Sequence, residues 1–381
     1  MPDSISQRIF GLDVIRASAI LLVMSSHCAM LMLPDYNSGL ILPFFKFFGA
    51  IGVDLFFVLS GFLIGGIILK HIKNNETKFE DIVYFWIRRW FRTLPNYFLI
   101  LVLNGIIFYA FYSFIDISLV RFIFFLQNFA SPHPQFFSEA WSLSIEEYAY
   151  ILGPIMLFIL VHLFKIKRMS FLFLAMSSLV VLLIFISRYL YILDNEFTDY
   201  GDWSSHMRKV VIYRIDSIYF GFFAAYISRV FKSFWKKIKY LSLVAGMVLF
   251  FGMHALIYNY GIQPENSKLF YGLWYLSLLS ISLLLFFPYF SQWKNGSVFR
   301  KQITHISKIS YGLYLVNFSL VFIPLRHFID IGSSGMITRV LVFISYWSLS
   351  FIVAHLLYSF YEKPLMDLRN HKYILRYFKK T

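Results

Sequence analysis

Long apolar runs recur along the whole chain, with short polar connections between them. A helix needs about 20 mostly apolar residues to cross the roughly 30 Å hydrocarbon core of a bilayer. About ten segments meet this requirement, so the pattern predicts an all-α, polytopic bundle of transmembrane helices. The predicted segments cover residues 12–33, 46–69, 94–115, 142–164, 170–193, 210–231, 240–259, 269–290, 304–325 and 336–360.

Two further stretches lie outside these segments. Residues 79–93 form an amphipathic approach to the third segment. Residues 120–130 are apolar but too short to span a bilayer, which predicts a re-entrant or interfacial position. No polar stretch is long enough to make a soluble domain, so residues 1–381 are predicted to form a single transmembrane domain.

The composition and the positions of the charges agree with a membrane protein. Only 14% of the residues are charged, against roughly a quarter in soluble domains. The net charge of +15 would also fit a nucleic-acid-binding protein. However, Lys and Arg are concentrated in alternate connections, which predicts cytoplasmic termini and explains the charge without a nucleic-acid partner. The basic connections are 70–93, 164–169, 229–239, 291–303 and the tail, whereas the intervening loop 194–202 is acidic.

Metal and disulfide chemistry find little support in the sequence. Cys28 is the only cysteine. A single cysteine excludes an intrachain disulfide and a cysteine-based metal site. The other polar residues form no convincing set of metal ligands, so no metal cofactor is predicted.

Several ionisable residues fall inside the first predicted segment. A charged group at membrane depth costs at least about 2.5–3.5 kcal/mol, so it is expected to face the protein interior or a water-filled cavity. Arg16 and His27 are eleven residues apart and therefore share one helical face, and Asp13 can pair with Arg16. The spacing alone leaves two roles open for His27, a hydrogen-bonded packing element or a chemical group.

A pair of carboxylates stands near the start of the fourth segment. Glu146 is expected to reach the same depth as His27, because the two helices enter the membrane from opposite sides. Glu147 points about 100° away from Glu146 around the helix. That direction predicts a capping or interfacial position for Glu147.

Other intramembrane polar residues occur in the second, sixth and ninth segments. Asp54 in the second segment is interpreted as a member of a structural ion-pair set with Arg214 and Asp216 in the sixth. Tyr311 and Asn317 in the ninth segment are predicted to support the site.

Three arginines stand at the start of the third segment. Arg88, Arg89 and Arg92 are explained most simply as positive-inside residues. Arg89 and Arg92 are spaced i and i+3, however, which places two planar guanidinium groups on one helical face. That arrangement suits a phosphate-bearing ligand arriving from the cytoplasm.

An ordered set of short motifs resembles the acyltransferase-3 family of membrane acyltransferases. Each motif alone is weak, but the set in this order is highly specific and covers residues 11 to 364. The motifs are Gly11-Leu12-Asp13 with Arg16 and His27, the 52–64 string, Arg89 and Arg92 with Pro95, the 141–147 string, Arg214 with Asp216, the 310–315 string and the 361–364 string.

The resemblance implies a ten-helix bundle in the cytoplasmic (inner) membrane. Such a bundle takes an acyl group, expected to be acetyl, from cytoplasmic acyl-CoA and passes it to a hydroxyl of a glycan, a lipid-linked saccharide or a secondary metabolite. The resemblance also assigns the family's histidine to His27, its coenzyme-binding arginines to Arg89 and Arg92, and its first-segment arginine to Arg16. Many relatives have a histidine where this chain has Asn317, so a mechanism that needs a second histidine is not expected.

Some members of the family carry an appended extracytoplasmic domain that completes the transfer. This chain ends at Thr381. Its membrane part is therefore expected to act alone, as a homo-oligomer, or with a separate extracytoplasmic protein.

Together these features predict an enzyme. The phosphates of acyl-CoA would lie on Arg89 and Arg92, and the thioester would lie beside His27. His27 would act as general base or as transient acyl carrier. Glu146 would orient the imidazole or hold the acceptor. A saccharide or small-solute transporter, which also places charges at mid-membrane, is the main alternative, and a binding or sensor protein is another.

Overall fold

Helices are the form that the apolar segments adopt. A computed structural model describes residues 8–33, 41–74, 78–112, 119–164, 169–296 and 299–368. These residues form α-helices and short π-helical turns, and they contain no strand, which confirms the all-α class. The basic turn at 165–168, the basic tail and both termini lie outside the described residues.

Ten principal helices correspond to the ten predicted segments. Among the described residues, nine helices are long and apolar enough to cross a membrane, so the chain is a multi-pass membrane protein. The principal helices are α1 (Phe10–Met32), α2 (Ile41–Lys73), α3 (Phe79–Tyr112), α4 (Ala140–Phe164), α5 (Met169–Asp194), α6 (Asp216–Val230), α7 (Lys239–Asn259), α8 (Phe270–Phe290), α9 (Arg300–Phe328) and α10 (Met336–Leu368).

The outer surface of the bundle is apolar. Leu241, Val248 and Phe251 on α7 are 72%, 66% and 64% exposed, respectively. A soluble protein rarely leaves a helix face of this kind in contact with water, whereas lipid chains cover it without cost.

The third and sixth segments differ from their predicted form. The amphipathic approach at 79–93 is continuous with the third segment, so α3 is a single helix of 34 residues. The sixth segment divides into a short helix, Val211–Arg214, and α6, which has 15 residues. The 120–130 stretch contains only the five-residue helix Leu119–Ile123.

In the described part of the chain, four π-helical turns interrupt the regular helices. A π-helical turn is rare and frequently occurs at a functional site, because it changes the direction of the side chains that follow it. Three of these turns lie inside α8, α9 and α10, and one precedes the sixth segment. They are Phe270–Trp274, Asn317–Phe322, Tyr358–Glu362 and Ser204–Arg208.

Close contact between α2 and α6 holds the centre of the bundle together. A Cβ atom at Gly61 would overlap the carbonyl oxygen of Ile218, and one at Gly221 would overlap the carbonyl oxygen of Val58. The two glycines therefore let the backbones approach closely, as small residues do between membrane helices.

Two buried ion pairs stabilise the same region. Arg214, at the break before α6, pairs with Asp54 on α2, and both side chains are fully buried. Asp216 pairs with Arg188 on α5 at 2.7 Å. A buried charge needs such a partner, because removing it from water is costly. The three residues interpreted as an ion-pair set thus belong to two separate pairs, and Arg188 completes the second.

Candidate active site

A cavity of about 760 Å³ opens between α1, α2, α3, α4 and α9 and the α6–α7 connection. Its volume falls within the range of typical ligand pockets. We call it the basic cavity, because six cationic side chains line it. The charged residues in its wall are Arg16, Arg89, Arg92, Glu146, Arg229, Lys232 and Lys236.

The geometry of α3 explains why two of its arginines face this cavity. Arg89 and Arg92 are one helical turn apart and line it together, whereas Arg88 is exposed elsewhere and contacts the Tyr84 hydroxyl at 3.0 Å. A spacing of i and i+3 produces this shared face. The structure therefore brings Arg16, Arg89 and Arg92 together, in the combination that the sequence predicts.

Glu146 is the ion-pair partner of Arg89. The Arg89 Nη2 lies 3.2 Å from a Glu146 carboxylate oxygen and 2.5 Å from the Tyr150 hydroxyl. The guanidinium also stacks over the Tyr150 ring, 4.2 Å from its centre. These contacts hold the Arg89 side chain in place, while its Nε has no hydrogen-bond partner among the described residues.

Arg16 has only a loose contact with Asp13. Arg8 contacts the Asp13 carboxylate at 2.6 Å, whereas the Arg16 Nη1 lies 3.9 Å from it and 3.3 Å from the Ser307 hydroxyl. The Ser307 hydroxyl also donates to Asp13 at 2.8 Å, which ties α1 to α9. Asp13 therefore serves mainly to join these elements, and Arg16 faces the basic cavity.

Glu147 and Tyr311 support the wall around α3. Glu147 is 5% exposed and accepts hydrogen bonds from Thr93 at 3.1 Å and Trp90 at 3.2 Å. The expectation of a capping or interfacial position for Glu147 is therefore wrong, because α3 covers that side of α4. Tyr311 lines the basic cavity and donates to the Thr93 carbonyl at 2.8 Å.

A second cavity, of about 910 Å³, lies on the other side of the bundle centre. We call it the aromatic cavity. His27 and Glu139 line it, together with the cationic side chains Lys46, Arg208 and Lys209. Its aromatic residues include Trp141, Tyr200, Tyr258, Tyr271, Tyr275 and Phe318.

Asn317 is the hydrogen-bond partner of His27. The Asn317 amide nitrogen donates to the carbonyls of Leu313 at 2.6 Å and Tyr314 at 3.0 Å, so the amide oxygen is the atom that faces the imidazole. That oxygen lies 2.6 Å from the His27 Nδ1. Because an amide oxygen can only accept, the Nδ1 carries the proton and the Nε2 of the neutral imidazole keeps a free lone pair.

Val53 and Tyr314 line both cavities and form the wall between them. The Tyr314 hydroxyl lies 2.6 Å from the Ser142 hydroxyl and 3.2 Å from the carbonyl of Glu139. His27 lines the aromatic cavity, whereas Glu146 lines the basic one. The orienting contact suggested for Glu146 therefore belongs to Asn317, because Glu146 is held at Arg89 on the far side of the wall.

Sequence reasoning missed several residues of both cavities. From the sequence, three basic residues indicate only membrane topology, Arg229, Lys232 and Lys236. A sequence does not distinguish a basic residue that sets topology from one that lines a cavity, because both occur at helix ends. Arg208 and Glu139 were not singled out at all. Within the described ranges, no group of three or more His, Cys, Asp and Glu side chains is placed to hold a metal ion.

Comparison with known proteins identifies the family. A family profile described as an acyltransferase domain matches residues 9–359, which is most of the chain. The chain belongs to this acyltransferase family. The matched range includes His27, Arg89, Arg92 and Asn317, so both cavities of this family member lie within the matched domain.

The relatives of this acyltransferase-family chain are longer than the chain itself. A Staphylococcus aureus (strain COL) protein, named provisionally as an O-acetyltransferase, is 26% identical over 93% of this chain and 56% of its own length. The peptidoglycan O-acetyltransferase OatA of Listeria monocytogenes is 31% identical over 42% of this chain and 25% of its own length. The match thus spans about half the length of the Staphylococcus aureus protein and a quarter of the length of OatA. No solved structure matches the chain significantly.

Proposed function

We propose that this protein transfers an acyl group, acetyl by preference, from acyl-CoA to a hydroxyl of a saccharide-type acceptor. Acyl-CoA binds in the basic cavity, the acceptor binds in the aromatic cavity, and His27 acts as the general base. The carrying observation is the pair of cavities with opposite character on the two sides of Val53 and Tyr314.

The charge of the basic cavity supports the choice of donor. Its wall holds six cationic side chains and, among the charged residues described there, the single carboxylate Glu146. Coenzyme A carries a diphosphate and a 3′-phosphate, so it is a polyanion that such a wall would bind. Guanidinium groups such as those of Arg16 and Arg92 bind phosphate oxygens in a bidentate manner.

The chemistry of the aromatic cavity supports the choice of acceptor. Aromatic faces such as those of Trp141 and Tyr275 provide rigid apolar surfaces, on which the C–H faces of sugar rings pack well. The hydroxyl groups of the tyrosines that line this cavity can donate hydrogen bonds to sugar hydroxyls and accept hydrogen bonds from them. The names of the relatives, which are O-acetyltransferases, agree with an acceptor hydroxyl.

His27 supplies the proton chemistry of the reaction. The acceptor hydroxyl gives its proton to the His27 Nε2 while its oxygen attacks the thioester carbonyl carbon. The carbon–sulfur bond then breaks, and the imidazolium returns the proton to the departing thiolate, so the products are an ester and free CoA. Asn317 keeps the imidazole in the required tautomer throughout.

Transfer also requires the acyl group to pass the wall between the cavities. The thioester end of an arm lying in the basic cavity would reach Val53 and Tyr314. Movement of the Tyr314 side chain away from Ser142 would open this wall. The same Nε2 lone pair would serve a transient acyl-imidazole, and trapping of radiolabelled protein distinguishes that route from direct transfer.

Deletion of the gene, followed by mass spectrometry of cell-surface glycans and secreted metabolites, tests the proposal. We expect one class of saccharide to lose the mass increment of an acetyl group, and purified protein to release CoA from acetyl-CoA when that saccharide is added. A transporter would give a different result. Unmodified saccharide would accumulate on the cytoplasmic side of the deletion strain, and the wild type would contain no acetylated product. Glycans and metabolites identical in the two strains would contradict the enzymatic proposal.

A further inference from the structure

Arg208 differs from the other buried arginines of the bundle. Among the described residues, three arginines are buried, Arg188, Arg208 and Arg214. Two of them pair with aspartates, Arg188 with Asp216 and Arg214 with Asp54. Arg208 is 7% exposed and forms no ion pair within the described part of the chain.

The contacts of Arg208 leave most of its donors unused. One nitrogen donates to the carbonyl of Ala50 at 3.3 Å, and the guanidinium lies 4.9 Å from the centre of the Trp141 ring. A guanidinium has five N–H donors. The side chain also lines the aromatic cavity. Its remaining donors are therefore available to a molecule in that cavity.

The π-helical turn Ser204–Arg208 gives Arg208 this position. Arg208 is the last residue of the turn, which leads into the start of the sixth segment. Such a turn is retained at a cost in helix geometry, which is one reason why π-helical turns concentrate at functional sites. The turn thus ends at a buried cation that lines the aromatic cavity.

Lys209 adds a second cation beside the first. It lines the aromatic cavity and, in the described ranges, forms no ion pair. Burial and the neighbouring Arg208 charge lower the pKa of Lys209 to about 8, so it is still mostly protonated at neutral pH. The exposed Lys46 lines the same cavity.

The carboxyl group in the cavity wall does not neutralise these cations. Glu139 accepts a hydrogen bond from the Ser319 hydroxyl rather than from Arg208 or Lys209. Burial raises the pKa of Glu139 to about 7, so part of the population is uncharged at neutral pH. The described wall of the aromatic cavity therefore carries a net positive charge.

We propose that Arg208 and Lys209 form an anion subsite, which binds a phosphate or carboxylate group of the acceptor saccharide. This inference rests on the proposed function and narrows it, because it assigns the acceptor to the anionic saccharides. An anionic group supplies the counter-charge that the fold gives to Arg188 and Arg214 but not to Arg208. Stacking of the sugar on the aromatic wall would place its hydroxyls in the cavity that His27 lines.

Calorimetric titration of the purified chain in phosphatidylcholine nanodiscs tests this assignment. The probes are glucose, glucuronic acid, glucose 1-phosphate and inorganic phosphate. We expect at least one anionic sugar to bind roughly 10-fold to 100-fold more tightly than glucose, the effect of a charge-assisted hydrogen bond. Preference for glucose 1-phosphate would indicate a phosphate-bearing acceptor, and preference for glucuronic acid a carboxylate-bearing one.

Variants connect the preference to the two residues. The double variant Arg208→Gln, Lys209→Gln should lose the preference, and Arg208→Lys should retain part of it. Lys268→Gln is the control for loss of a positive charge, because Lys268 pairs with the exposed Glu196 in the connections outside the cavity wall, and its loss removes one of the two charges that the double variant removes. Acetyl-CoA binding to the double variant should be unchanged, which shows that the protein is folded.

Several results would overturn the assignment. These are equal affinity for glucose and its anionic counterparts, no detectable binding of the anionic sugars, or a preference that persists in the double variant. Inorganic phosphate binding as tightly as glucose 1-phosphate, or competition by anionic lipid added to the nanodiscs, would assign the cations to a free anion or a headgroup instead. A chain that shows the preference but binds no acetyl-CoA would retain the subsite and refute the proposed donor.

Discussion

The hydrogen bond between His27 and Asn317 determines which imidazole nitrogen carries the proton. Arg16 and His27 share a face of α1, so the sequence could indicate that this face carries the chemistry. It could not indicate Asn317 as the partner of the imidazole, because the two residues are 290 positions apart and meet only when α1 packs against α9. Asn317, which the sequence predicted only as a supporting residue, thus makes the contact to the imidazole that had been suggested for Glu146.

Substitution of His27 tests its catalytic role. We expect His27→Ala and His27→Gln each to reduce acyl transfer about 10²- to 10⁴-fold, because neither side chain can accept and return a proton. Binding of acetyl-CoA should be retained, since His27 lines the cavity on the acceptor side. Both quantities are measured on purified protein at matched expression.

A matched substitution separates catalysis from packing. His355→Gln removes an exposed histidine on α10 and should leave turnover near the wild-type value. Substantial turnover by His27→Gln would show that His27 only packs, since glutamine preserves one hydrogen bond.

At the scale of elements, π-helical turns contain two residues of the candidate site, Asn317 and Arg208. Apolar length predicts which segments form long helices, and nine helices of the described residues are long and apolar enough to cross a membrane. Apolar length carries no signal for a π-helical turn. The turn that begins at Asn317 and the turn that ends at Arg208 therefore could not be predicted from it. The break before α6 was not predicted either, because the 210–231 segment is continuously apolar enough to suggest one helix; the residues beside the break pair with Asp54 on α2 and Arg188 on α5.

The cavity-facing side of α3 is the element-scale test of the donor site. We expect Arg92→Ala to weaken acetyl-CoA binding by about 1.5–3 kcal/mol, the contribution of a charge-assisted hydrogen bond. Arg89→Ala should weaken it as well, and it also removes the ion-pair partner of Glu146. Lysine at either position should rescue only in part, because the bidentate fork is lost.

Arg88→Ala is the control for this face. Arg88 lies on the same helix and has the same charge, but it does not line the basic cavity. Its substitution should leave the dissociation constant of acetyl-CoA unchanged. Unchanged binding in the Arg89→Ala, Arg92→Ala double variant would return both arginines to a purely topological role.

At the scale of the whole molecule, the proposed function places the donor and the acceptor on opposite sides of the membrane. Lys232 and Lys236 in the basic cavity belong to one of the basic connections, whereas Gln263 in the aromatic cavity belongs to a connection at the other end of the bundle. The positive-inside rule predicts that the first end faces the cytoplasm. Charge counting could predict this sidedness, but only packing could show that a cavity opens at each end and that Tyr314 stands between them.

The sidedness of acetyl-CoA consumption in proteoliposomes tests this account most directly. Orientation is read from an impermeant thiol reagent at Lys237→Cys or Asp199→Cys, in a background where the single cysteine, Cys28, is replaced by alanine. The charged coenzyme does not cross the bilayer unaided. We expect CoA release only when acetyl-CoA is supplied on the side where position 237 is labelled. CoA release driven by acetyl-CoA on the side where position 199 is labelled would contradict the account.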